Sequence, residues 1–387
     1  MSTATSTAEF EDLDRTLANS GPAEALDQLA RGLAARGEFR ALLDVLLLKA
    51  RIDLGLPTVL TGPLAEIPEP ARTQYEERYI EAIREVGGRL LKAGEIGAAW
   101  AYFRAIAEKE PVTAAIEAYD PPENDERIGQ VIEVAFNQGV HPLKGFGLIL
   151  DHYGTCSAIS AFEGLPPDEA TRVACADRLV RRLHSDLVLN LRSEIARRGQ
   201  PLPPEGTSIG DLVEGRDWLF VDDAYHLDVS HLSSTVRLSP LLTDPSTIEM
   251  AIGLTDYGRR LSDRHRYEGD PPFEDHYGDH GIYLRALLGQ DVEQAIAHFR
   301  GKLPPVDERD EAVAAQVLVR LLVRLGRSEE AVDLAAEHLA HLPDSALTCP
   351  SVAQLCQSIG RLDRLAEISR GRGDLVNYAA ALLGNRA

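Results

Sequence analysis

Apolar positions in this chain recur three or four residues apart, the spacing that puts side chains on one face of an α-helix, and they come in pairs of segments divided by a single glycine. Leu26, Leu29 and Leu33 precede Gly37, and Leu42, Val45, Leu46 and Ile52 follow it. A second pair runs through Tyr79, Ile80, Ile83, Leu90 and Leu91 to Gly94, then through Ala98, Ala99, Tyr102, Phe103 and Ile106. Farther along, Tyr283, Leu284 and Leu287 lead to Gly289, with Ala295, Ile296 and Phe299 beyond it. The pattern returns at Leu325-Gly326 with Ala331 downstream, and at Ile359-Gly360 with Ala366 downstream. A glycine after the last apolar turn supplies the left-handed residue that closes a helix. The elements predicted are helical hairpins, each with an apolar face that only a stacked neighbour can cover.

Gly289, Gly326 and Gly360 are 37 and 34 residues apart, near the ~34-residue period of tetratricopeptide arrays. On these glycine and small-residue positions the segments resemble tetratricopeptide-like (TPR-like) repeats, best over residues 279–387 and more loosely over 22–110. Between Gly37 and Gly94 the interval is too long for one standard repeat. The resemblance implies an all-α fold, an α-solenoid of hairpins, with a concave face that binds a protein or peptide partner. It carries no ligand residue over to this chain.

The middle of the chain departs from the repeat. Pro166 and Pro167 precede a long helical candidate, residues 168–198, with Val173, Ala176, Val180, Leu183, Leu187, Leu191 and Ile195 on one stripe. The Pro/Gly-rich stretch from Gly199 to Gly210 ends it, and Trp218-Leu219-Phe220-Val221 follows as a short strand or a buried helical turn. The expected organisation is a disordered tail over 1–20, hairpins over 21–125, a mainly helical non-repeat region over 126–270, and TPR-like repeats over 271–387.

Composition narrows the function classes. Forty Lys and Arg against 61 Asp and Glu give a net charge of −21, which repels polyanions and argues against nucleic acid as a partner. No apolar run approaches the ~18 residues of a membrane span. The first residues lack the basic and apolar stretches of a secretory signal. Cys156, Cys175, Cys349 and Cys356 are scattered without a Cys-x-x-Cys pair, so the expected setting is a reducing cytoplasm without a disulfide framework.

Candidate chemistry gathers in residues 222–234. If the chain is extended there, His226 and Asp228 share a face, and Ser230 caps a helix that presents His231 in its first turn. Two imidazoles and a carboxylate suit Zn²⁺ or Fe²⁺, with open positions for water or substrate. The alternatives are a buried polar network in which Asp228 orients an imidazole and Ser230 caps a helix, and simple surface exposure. His152 and His280 are further candidate ligands from elsewhere in the chain. His276 and His280 have the spacing of one helix face, although a helix starting at Asp279 as N-cap would account for that segment without metal.

Tyr153-Gly154-Thr155-Cys156 reads as a turn into a helix, where a thiol has its pKa lowered and becomes a nucleophile if a histidine is near. Over these few residues it resembles the Gly-x-Cys helix start of papain-like and transglutaminase-like enzymes, against which the all-helical pattern argues; a structural cysteine is the alternative. The basic run Arg259, Arg260, Arg264, His265 and Arg266 suits a phosphate or an acidic peptide, or is solvated loop charge. There is no GxxxxGK[ST], dinucleotide fingerprint or HExxH motif. Two readings stand from sequence: a helical scaffold that binds a protein or peptide, and a metal-dependent hydrolase or oxygenase built on the His/Asp cluster.

Overall fold

The computed structural model describes residues 7–59, 62–122, 124–303 and 312–384. Among these the chain is all-α, without a strand. It divides into two compact units, Met1–His152 and Tyr153–Ala387, a division inside the 126–270 region rather than at either of its edges. Among the described residues no helix is long and apolar enough to cross a membrane.

The first unit contains α1 (Thr7–Arg36), α2 (Phe39–Asp53), α3 (Ala71–Lys92), α4 (Ile96–Ala105), α5 (Glu110–Glu117) and α6 (Ile128–Ile132). A single π-turn, Glu133–Asn137, then leads to α7 (Pro142–Glu163), which runs past the boundary. Each of α1 to α4 packs on the next in sequence. α1 is two helices broken at Gly21 (φ 82°, ψ 176°), with Pro22 opening the second, where its missing N–H is not needed.

The tail expected over 1–20 is thus helical from Thr7, and residues 1–6 lie outside the described residues. Contacts hold this segment antiparallel to the second half of α1. Arg36 pairs with Glu9 at 3.1 Å, and the Thr16 hydroxyl donates to Gln28 Oε1 at 2.7 Å.

The predicted glycine turns share one hydrogen-bonding pattern. Gly37 N–H donates to Ala34 O, and the next N–H, of Glu38, donates to Leu33 O at 3.0 Å. That pair of bonds is the Schellman closure. It recurs at Gly94, Gly289, Gly326 and Gly360, where Glu95, Gln290, Arg327 and Arg361 reach back to Leu90, Arg285, Leu322 and Cys356. All five glycines have φ between 70° and 78°, a conformation that strains any residue with a Cβ.

In the second unit α8 (Glu169–Arg197) matches the expected long helix. Asp168 caps it by accepting the Thr171 N–H at 2.8 Å. Its stripe is the core of this region, with Ala176, Leu179, Val180, Leu183, Leu187, Leu191 and Ile195 fully buried. There follow α9 (Ile209–Val213), a 3₁₀ segment at Asp217–Asp223, α10 (Val229–Leu238), a 3₁₀ turn at Ser239–Leu241 and α11 (Pro245–Arg259). Both α10 and α11 pack on α8. The Trp218 run is therefore 3₁₀ rather than strand.

The chain continues through α12 (His276–Leu287), α13 (Val292–Arg300), α14 (Val313–Arg324), α15 (Ser328–His338), α16 (Val352–Ser358), α17 (Leu362–Arg372) and α18 (Leu375–Gly384). From α11 to α18 each helix packs on its sequence neighbour. One continuous core, including Tyr283, Phe299, Leu318, Leu322, Ala331 and Leu355, runs through them.

Candidate functional site

The His226 segment forms one wall of a groove in the second unit. The facing wall is the last two turns of α8, where Asn190, Ser193, Glu194, Arg197 and Arg198 fall at the three- and four-residue spacing of one helix face. Trp218 and Leu219 from the 3₁₀ segment and residues 224–228 close the groove around about 500 Å³, within the ~300–1,000 Å³ range of small-ligand sites.

Tyr257 on α11 positions His226. The buried phenol oxygen accepts the His226 backbone N–H at 2.7 Å and lies 3.1 Å from Nδ1. A phenol has one hydrogen to donate, and Nδ1 is the acceptor that meets it here. The imidazole then carries its own proton on Nε2. Burial, and after it the charge of Arg197, pushes the His226 pKa below the ordinary histidine value, so the ring is neutral at pH 7 and presents an Nε2–H donor. Asn190 fixes the same turn by donating to the His226 carbonyl at 2.8 Å. Phe220 meets the His226 ring edge-on, with centroids 6.2 Å apart.

Asp228 has a different role from the one its sequence position suggests. It is the N-cap of α10, with one carboxylate oxygen accepting from Ser230 N–H at 2.8 Å, Ser230 Oγ–H at 2.5 Å and His231 N–H at 3.2 Å. The Ser230 hydroxyl and then the backbone donors hold its pKa below the usual carboxylate range. Asp228, not Ser230, caps the helix, and the imidazole of His226 is oriented by Tyr257, not by Asp228. His231 does lie in the first helical turn. The extended strand face expected for His226 and Asp228 is absent, because residues 226–227 form a bend ahead of the cap.

The groove's charges are arranged around Glu194. Its carboxylate pairs with Arg197 and, at 3.5 Å, with Arg198. The Arg198 guanidinium also stacks 4.9 Å from the Trp218 ring centroid, while the Arg197 side chain stays 77% exposed. Much of the basic run serves the loop behind the groove. Arg260 pairs with Asp217, donates to Val213 O at 2.9 Å and stacks 4.7 Å from the Phe220 centroid. Arg264 pairs with Asp223, and Arg266 donates to the carbonyls of Arg259 and Leu261.

A separate polar centre lies at the start of α12. Asp275 caps this helix by accepting the Gly278 N–H at 3.2 Å, so it begins at His276, four residues before the start expected from Asp279 as N-cap. Gly278 belongs there because a Cβ would stand 2.1 Å from the capping carboxylate. His276 and His280 do share one face, both buried, with ring centroids 4.7 Å apart. Backbone carbonyls take their ring nitrogens: His276 Nε2 is 3.0 Å from Ser233 O, and His280 Nδ1 is 2.7 Å from His276 O. Burial lowers both pKa values, that of His280 to about 3. Asp279, 2% exposed, accepts from His298 Nε2 at 2.7 Å and Lys302 Nζ at 2.6 Å. Lys302 is held above its ordinary pKa because the Asp279 and Glu274 carboxylates outweigh its burial.

The expected ligands are thus divided among different partners. His226 is bonded to Tyr257, Asp228 to the start of α10, and His280 to a carbonyl of its own helix; His152 is exposed on α7 in the first unit. Among the described residues no group of three or more His, Cys, Asp or Glu side chains is placed to hold a metal ion. Cys156 is exposed two residues beyond the break at Gly154 (φ 82°, ψ 177°), and among the described residues no hydrogen bond joins its sulfur to an imidazole. Burial raises the other three thiols, Cys175 to about 12 and Cys349 to about 11.

Tyr257, His298 and Lys302 are the site residues that sequence reasoning misses; the first is 31 positions from His226, and nothing local marks the pairing. Compared with protein-family models, with curated proteins and with solved structures, the chain matches none of them.

Proposed function

We propose that this protein is a helical-repeat scaffold whose α12–α18 region is built of TPR-like hairpins, and that it binds a protein or peptide partner through the groove beside α8. The observation that carries the reading is the composition of that groove. An open trough lined by Trp218, Tyr225, Arg197 and Arg198 has the aromatic and arginine character enriched where proteins meet. The repeat component draws support from the Schellman turns at Gly289, Gly326 and Gly360 and from packing that runs from each helix to the next. In this reading residues 217–238 are an insert that sets partner choice, and the net charge of −21 disfavours a polyanion.

A photo-crosslinking amino acid at Ser193, exposed in the groove, tests the reading in a lysate of the source cells. One protein species should be trapped in stoichiometric yield at Ser193 and not at the exposed loop residue Glu205. Equal trapping at the two positions, or none at Ser193, Asn190 and Tyr225, would remove the partner-binding assignment.

A further inference from the structure

We infer that the groove recognises the free C-terminal carboxylate of its partner, gripped between the Arg197 guanidinium and the Nε2–H of His226; this rests on the partner-binding reading above. The argument begins with donors. His226 is turned by Tyr257 so that Nδ1 is satisfied, and among the described residues no acceptor meets Nε2. Arg197 is exposed on the same groove that His226 lines. A guanidinium has five N–H donors, so its pairing with Glu194 leaves several unspent.

Two N–H donors on one groove define the complement, an anion that accepts from both. Of the carboxylates that already line the groove, Asp228 turns one oxygen to three donors at the start of α10, and Glu194 is shared between two arginines. The groove therefore retains donor capacity in a chain whose overall charge is strongly negative. A carboxylate fits better than a phosphodiester polymer, which the distributed negative charge would repel along its length.

The surrounding surface accommodates a chain end. The volume of about 500 Å³ admits one or two residues. Trp218 and the exposed ring of Tyr225, 53% accessible, flank the donors and suit an apolar or aromatic last side chain. The loop that delivers Tyr225 and His226 is itself strained, because Asp222 and Asp223 are consecutive non-glycine residues with φ of 58°. Strain of this kind persists where the surrounding structure over-determines it and concentrates at ligand sites; here the Arg264 pairing with Asp223 contributes.

Retention of synthetic random hexapeptides on the immobilised full chain tests the inference, with one pool ending in free carboxylate and an otherwise identical pool ending in carboxamide. The free-acid pool should be retained at least tenfold more strongly, roughly the effect of losing one charge-assisted interaction. Arg197→Ala should cancel the difference, and Arg197→Lys should keep part of it. Arg197 is exposed enough for both variants to fold; circular dichroism checks this, and His226→Gln gives a second variant on the other donor. Equal retention of the two pools, lost in Trp218→Ala, would overturn carboxylate recognition while leaving the groove as a peptide site. Retention of neither pool would also overturn it, and the Ser193 crosslink then decides independently whether a folded partner uses the groove.

Discussion

Acidification from pH 7.5 to 5 should cost the second unit about 2 kcal/mol through His280 alone. The ring is 2% exposed and stacked on Phe273 at 4.0 Å between centroids. Burial first, and the neighbouring His276 second, bring its pKa down to about 3. The unfolded chain, with a histidine pKa near 6.5, takes up the proton first. The stabilisation is therefore complete above about pH 6.5 and is lost as pH falls toward the folded value. Between pH 6.5 and 5 the loss approaches ~1.4 kcal/mol per pH unit, which gives the figure of about 2. His276, lowered in the same direction, adds to the slope.

The chain has two tryptophans, Trp100 in the first unit and Trp218 in the second, so in a Trp100→Phe background Trp218 fluorescence follows the second unit by itself. Urea titrations at pH 7.5, 6 and 5 then compare the parent with His280→Leu. The variant should be less stable at pH 7.5, because it loses a packed ring and a hydrogen bond, but its stability should fall by about 2 kcal/mol less over the range. Parallel pH slopes in parent and variant would refute the assignment of acid sensitivity to His280.

Asp279→Ala should destabilise the second unit by about 3 kcal/mol, the lower end for breaking a buried pair, because Lys302 keeps Glu274 as a partner at 2.5 Å; a loss below about 1 kcal/mol in urea would mean the network is not closed in solution. Asp228→Ala should cost about 1 kcal/mol by removing the α10 cap, and Asp228→Ser should recover most of it in thermal melts. Stabilisation of the parent by Zn²⁺ that is missing from Asp228→Ala would restore the carboxylate as a ligand. Gly326→Ala meets nothing within 4 Å, so its cost is the backbone penalty at φ +73°, about 1 kcal/mol. Gly258→Ala would put a Cβ 2.4 Å from the Tyr277 ring and should cost more, on the order of 3 kcal/mol, as the shift in urea midpoint will show.

What sequence shows well in this chain is local closure. Asp168 before the apolar stripe and Gly199 after it delimit α8, and the glycine at each hairpin announces its own turn, because the atoms that satisfy each helix end are a few residues away. The polar centres depend on distant pairings. His226 stands out by type, but its tautomer is set by Tyr257 on another helix. Asp228 invites a metal reading because carboxylates are ligands, yet an Asp followed two and three residues later by free N–H groups is also a cap, and that nearby competitor prevails. At α12 a capping aspartate displaces the expected start by four residues, and the buried Asp279 finds its partners in His298 on the next helix and Lys302 just beyond it. The tail reading fails for a similar reason: the partners of Glu9 and Thr16 lie beyond Gly21, where composition of the first residues gives no view of them.

The ion pairs between successive C-terminal hairpins bear on compliance. Arg327 reaches Glu293, Arg361 reaches Glu329, and Arg364 reaches Asp333, each across 31 to 34 positions of sequence. Exposed pairs of this kind contribute at most ~1 kcal/mol each and are weakened by salt, whereas the apolar seam beneath them is indifferent to it. The seam thus sets which surfaces touch, and the rungs set how stiffly they resist being tilted. Ionic strength should then act as a control on elasticity: raising salt should let neighbouring hairpins tilt more freely at unchanged secondary structure.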